Sequence, residues 1–191
     1  MSARKNPLNP GILAGWTVLM LASVSVGAPA PSGFVSVPSG SFVMGSTEDE
    51  DGREPDESPT RPVTIARGFQ IGIYEVTIGD YAAFIDASDY APASGCAYID
   101  THAARWIDDP ALSWRAPGFD QTESHPVTCV NFEDARAYAA WYAASSGKRA
   151  RLPSEAEWEY AVRAGTTTSR FWGDDPADGC RYSNAVDESV T

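Results

Sequence analysis

From residue 88 to residue 128 the chain is rich in Pro, Gly, Asp and Trp and shows no apolar recurrence at either the helical or the strand period. Long segments without their own periodicity are ordinarily functional, or pinned by a disulfide or an ion. Cys96 and Cys129 bracket most of this one. The chain therefore reads as short strands and helices on either side of a long irregular insert.

The elements before the insert are brief. Phe34–Val37 and Ser41–Met44 flank Pro38-Ser39-Gly40, which predicts a hairpin with a Gly turn. Residues 48–61 are acidic and broken by Pro55 and Pro59, so they read as a loop. Val63–Ile65 and Phe69–Tyr74 read as strands. Thr77 caps a helix whose face repeats Ile78, Tyr81, Ala82, Phe84 and Ile85. After the insert, Asn131 and Asp134 form a weak capping box, followed by a predicted buried stripe of Phe132, Ala135, Tyr138, Ala139 and Tyr142 and a stop at Gly147. Ser154 and Glu157 make a full capping box behind Pro153; Trp158 and Ala161 are expected to face inward and Gly165 to close the helix.

The 191 residues carry 14 Lys+Arg and 26 Asp+Glu, a formal charge of −12. That balance argues against nucleic acid as a partner, because phosphate neutralisation needs clustered cations. The N-terminus reads as an export signal over residues 1–28. Arg4 and Lys5 precede an uncharged run from Ile12 to Val26, with Ser25, Gly27, Ala28 and Ala30 near the cut. The run is shorter than the roughly 20 residues of a membrane span, although an uncleaved anchor is the competing reading. Residues 29–33 form a linker and 34–191 the folded domain. Export points to a periplasmic or secreted protein in an oxidising compartment, where a Cys96–Cys129 disulfide is expected. The odd count of three cysteines means a thiol that is free, bridged between molecules, or paired outside this stretch.

Little in the chain announces catalysis. Glu155, Glu157 and Glu159 sit at a helix start, where capping and solvation explain them better than acid/base work. Glu48-Asp49-Glu50-Asp51-Gly52 lacks the alternating ligands and distal Glu of a calcium loop. His125-Pro126 suits a rigid loop contact more than a general base. With only His102 and His125 present, a three-histidine zinc site is impossible. No nucleophile elbow, dinucleotide fingerprint or phosphate-binding loop occurs. The six Trp residues read as plugs of a loop-rich core, with sugar stacking as the alternative.

An ordered series of segments nevertheless resembles the formylglycine-generating enzyme (sulfatase-modifying factor) family. It runs through Gly40–Ser46, Asp56–Val63, Tyr74–Thr77, His125–Val127 and Asn131–Ala135. The most specific segment is Arg151-Leu152-Pro153-Ser154-Glu155-Ala156-Glu157-Trp158-Glu159-Tyr160-Ala161, followed by Arg163 and Gly165; Trp172-Gly173 and Tyr182-Ser183-Asn184 end the series. The resemblance spans roughly residues 34–187. It implies a C-type-lectin-like α+β fold and, for the complete form, oxidation of a sulfatase cysteine to formylglycine with copper and oxygen. The partner implied is a protein or peptide substrate, with no nucleic acid and no stable membrane span after signal cleavage.

The family's calcium site implies Asn184 and the carbonyl of Ala185 as two of its ligands, a partial site here. The family's copper-binding cysteine pair belongs to a later half that has no counterpart in this stretch. Cys96, Cys129 and Cys180 do not match that pair, so no catalytic residue is carried over, and Cys180 is expected to pair outside this stretch. These departures lead to the expectation of an incomplete domain, truncated at the C-terminus and inactive alone. A non-catalytic lectin-like binding module, or pseudoenzyme, is the alternative.

Overall fold

The computed structural model describes residues 33–50, 52–100 and 105–183. The predicted export signal and most of the linker, and Asn184 and Ala185, lie outside them. Strands β1 (Phe34–Val37), β2 (Gly40–Met44), β3 (Arg61–Ile65) and β4 (Phe69–Gly72) come first. Helix α1 (Ile78–Asp86) is followed by β5 (Cys96–Asp100) and β6 (Arg105–Asp109), then helices α2 (Phe132–Ser146) and α3 (Glu155–Arg163). The chain is thus a mixed helix and strand structure in which loops carry much of the path. No helix among the described residues is long and apolar enough to cross a membrane.

The predicted β1–β2 hairpin does not form. β1 pairs antiparallel with β4, and β2 with β3, so the two ribbons nest. Gly40 pairs with Ile65 and Val37 with Phe69, which leaves Pro38-Ser39 facing the three residues Ala66-Arg67-Gly68. Two residues against three is a bulge, and bulges bend a ribbon. At the bend a Cβ on Gly68 would stand 2.9 Å from the Val37 carbonyl oxygen, so only glycine fits. Gly40 is not a turn residue either. A Cβ there would meet the Tyr160 hydroxyl at 2.3 Å, so this glycine lets α3 dock on β2, where Tyr160 also packs on Phe42 with ring centroids 5.3 Å apart. The local turn signal could not report that β2's partner arrives twenty residues later.

All three helices start where their caps require. In each, the cap side chain accepts from the third helical N–H and the acidic third residue accepts from the cap N–H: Thr77 with Asp80, Asn131 with Asp134, Ser154 with Glu157. Each box satisfies two donors that a helix start otherwise leaves open. Gly147 ends α2 in the left-handed region at φ 68°, and α3 ends through Ala164 and Gly165 at φ 47° and 90°.

The core is aromatic. Tyr81 and Phe84 of α1 are buried against Tyr138 and Trp141 of α2, and Trp114 drops in from the insert with its ring centroid 5.1 Å from that of Tyr81. Trp114 therefore anchors the irregular segment, which also holds the unpredicted hairpin β5–β6. Two predicted inward residues point out instead. Phe132 is 68% exposed, because α2 turns the Asp134–Tyr138–Trp141 line to the core and its first residue protrudes beyond it. Trp158 is 56% exposed, because α3 docks through Tyr160, Glu159 and Arg163.

Candidate functional site

The insert is clasped to the start of α2. Cys96, the first residue of β5, is joined to Cys129 with S–S 2.10 Å and Cα–Cα 4.9 Å. Cys129 sits at φ 56°, two residues before the Asn131 cap. Gly95 donates its N–H to the Leu112 carbonyl at 3.0 Å, closing the insert's neck. Beside the disulfide opens a cleft of about 600 Å³ walled by Tyr98, Leu112, Pro117 and Phe119. The one carboxylate among the described residues that line it, Asp109, already accepts the Ala111 N–H at 2.9 Å. An apolar cleft of this size with few polar groups suits a hydrophobic segment or small ligand. Among the described residues it contains no pair of groups poised for proton transfer.

A polar knot sits under this region. Asp134, 1% exposed, accepts from the Tyr90 hydroxyl at 2.9 Å, the Ala93 N–H at 3.2 Å and the Asn131 N–H at 2.9 Å. It thereby ties the entry of the insert to the start of α2. The hydrogen bond to Asp134 raises the pKa of the Tyr90 phenol. Burial pushes Tyr81 and Tyr138 up to about 12, so these phenols stay protonated and serve packing.

A second knot holds the ribbon to α3. Glu159 accepts from the Gly45 N–H at 2.9 Å and from Arg163 Nε at 2.8 Å, and Arg163 donates on to the Gly45 carbonyl at 3.0 Å. Ser46 donates to Glu57, the largest of the causes that hold the Glu57 carboxyl below its usual range. Arg151 grips Glu157 with two hydrogen bonds of 2.6 and 2.7 Å, which lower the Glu157 pKa to about 2.

Cys96 and Cys129 meet; Cys180 lies apart in a short 3-10 turn (Pro176–Arg181) and is exposed. Glu157 caps, whereas Glu159 was expected in solvent and is instead part of the Gly45 tie. His125 takes the loop role: its Nδ1 accepts the Thr122 N–H at 2.8 Å and its carbonyl accepts from Ile78. Among the described residues no group of three or more His, Cys, Asp or Glu side chains could hold a metal ion. Sequence spacing alone does not show the roles of Asp134 and Glu159. Their signal was an acidic residue at helical spacing beside aromatic core positions, which a cap or a solvated face explains equally well.

Comparison with known proteins gives the class of this mixed helix and strand domain. The family model of the sulfatase-modifying factor enzyme 1-like domain matches residues 24–190, and the chain belongs to this family. It is 34% identical over 178 residues to a formylglycine-generating enzyme of Mycobacterium tuberculosis, covering 76% of this chain and 56% of the relative. It is 31% identical over 190 residues to an inactive Cα-formylglycine-generating enzyme 2 of Mus musculus, covering 87% of this chain and 58% of the relative. Among solved structures, PvdO from Pseudomonas aeruginosa superposes with TM-score 0.55 at 38% identity over 70% of this chain and 48% of that one. The chain thus spans about half the length of the relatives it matches.

Proposed function

We propose that this chain is an exported, C-type-lectin-like member of the formylglycine-generating family that supplies scaffold and surface. In this reading the complete protein oxidises a cysteine of a protein or peptide substrate, a sulfatase being the first candidate. The chain itself lacks that activity and works within a longer domain. The observation that carries this is the Cys96–Cys129 bond. Thiolate oxidation over copper needs two thiolates to hold soft Cu(I), and both sulfurs here are spent on each other. The residues described do not fit a copper centre, and no step is routed through one. Calcium belongs to the same reading: the Asn184 side chain and the Ala185 carbonyl are hard oxygen donors, but two of the six to eight that calcium takes. The disulfide suits an oxidising periplasmic or secreted location and so supports export.

The test is direct. Purified chain is incubated with Cu(I), oxygen and a sulfatase-type peptide, and the peptide is weighed by mass spectrometry. The peptide cysteine stays unchanged. Conversion to formylglycine sinks the proposal. The apolar cleft beside the disulfide, together with the similarity to a relative named inactive, favours a second reading as a non-catalytic binding module. Activity in a longer form of the protein would exclude it.

A further inference from the structure

β3 pairs only with β2 and β4 only with β1, so among the described residues each keeps an unpaired backbone edge. A groove of about 1100 Å³ runs there. Its lining takes every residue from Val63 to Gly72, none from β2, and from β1 only Phe34. A groove over the ribbon's face would draw on both paired strands, so this one follows the open edge. Its other wall is the α2–α3 connection around Lys148, Arg149 and Arg151.

The charge of this groove opposes that of the chain. Arg151 is neutralised by Glu157. Arg67, Lys148 and Arg149 line the groove, are exposed, and form no ion pair among the described residues. Three cations without an ion pair among the described residues therefore line one trough on a chain of net charge −12. An open strand edge asks for extended backbone, and the cations ask for carboxylates. Side chains on one face of an added strand recur about every 6.6 Å, so acidic residues at alternate positions could all face the basic wall.

We propose that this groove binds an extended acidic polypeptide segment of a partner protein, added as a strand along β3 and β4 with its carboxylates against Arg67, Lys148 and Arg149. The edge explains affinity for backbone and the cations explain the choice of sequence. Nucleic acid is the weaker match, since the rest of this acidic chain repels a polyanion of that length.

The experiment uses fluorescence anisotropy with the whole chain and a labelled (Glu-Thr)₅ peptide, beside (Gln-Thr)₅ and inorganic phosphate as competitor. Binding of the acidic peptide is expected to be at least tenfold tighter than that of the Gln peptide and to weaken with salt. The triple substitution Arg67→Gln, Lys148→Gln, Arg149→Gln should cost a further tenfold or more while the unfolding midpoint stays put. Hydrogen exchange with bound peptide should slow amides within residues 63–72. Equal binding of both peptides, or no effect of the triple substitution, overturns the proposal. So does displacement by phosphate at millimolar concentration, which would mark a simple anion site. Self-association abolished by the same substitutions would give the groove to a second copy and equally overturn it.

Discussion

Replacing Asp134 with alanine should be among the costliest single changes in the described core. Its carboxylate accepts from three donors, Tyr90 Oη, Ala93 N and Asn131 N, at 2.9, 3.2 and 2.9 Å, and is 1% exposed. Removing the acceptor strands all three, and each unsatisfied donor costs about 1–3 kcal/mol when water cannot reach it. The Tyr90 and Ala93 end has some access to solvent, so the low part of that range applies there. Loss of the capping box is already counted in the Asn131 donor. The sum is about 4 kcal/mol, a large share of the roughly 5–15 kcal/mol that holds a domain together. Urea unfolding followed by tryptophan fluorescence reads it. With a slope near 2 kcal/mol/M, the midpoint should fall by about 2 M. Asp134→Asn keeps the shape and one acceptor oxygen, and should lose only about half as much. A cost below about 1 kcal/mol for the alanine variant, or equal costs for both variants, would refute the reasoning.

Four further outcomes are expected. Glu157 is held near pH 2 by Arg151, below its unfolded value near 4.5, so its contribution is full above that value and fades as pH falls toward 2; Arg151→Ala should therefore destabilise at pH 7 and scarcely at pH 2.5 in paired urea melts. Reducing the Cys96–Cys129 bond, which spans 33 positions, should cost about 3–4 kcal/mol on chain-entropy grounds, read as the unfolding shift with and without reductant. Gly45→Ala should cost more than Gly147→Ala, because both have positive φ but only at Gly45 does a Cβ strike backbone, 2.5 Å from the Glu57 carbonyl; thermal melts of the two variants rank them. N-terminal sequencing of exported material should begin near residue 28, and an intact Met1 would contradict the export signal.

What the amino-acid sequence determined alone is mostly local. The three helix starts were legible because a cap and its third residue meet within one turn, whatever the rest of the chain does. The family was legible because an ordered series of motifs, above all Arg151–Ala161, is unlikely by chance, and the disulfide was legible because its cysteines bracket the aperiodic insert. The tertiary structure decided everything that needs a partner far along the chain. β2 chose β3 over the adjacent β1, Gly40 proved to be the seat of Tyr160, and Trp114 carried the insert into the core. Phe132 and Trp158 point out because docking by Asp134, Tyr138 and Glu159 set the rotation of their helices. A helical period marks which residues share a face but not which face is covered. That depends on the surface it meets, and here the surfaces come from segments 41 to 118 residues away in sequence.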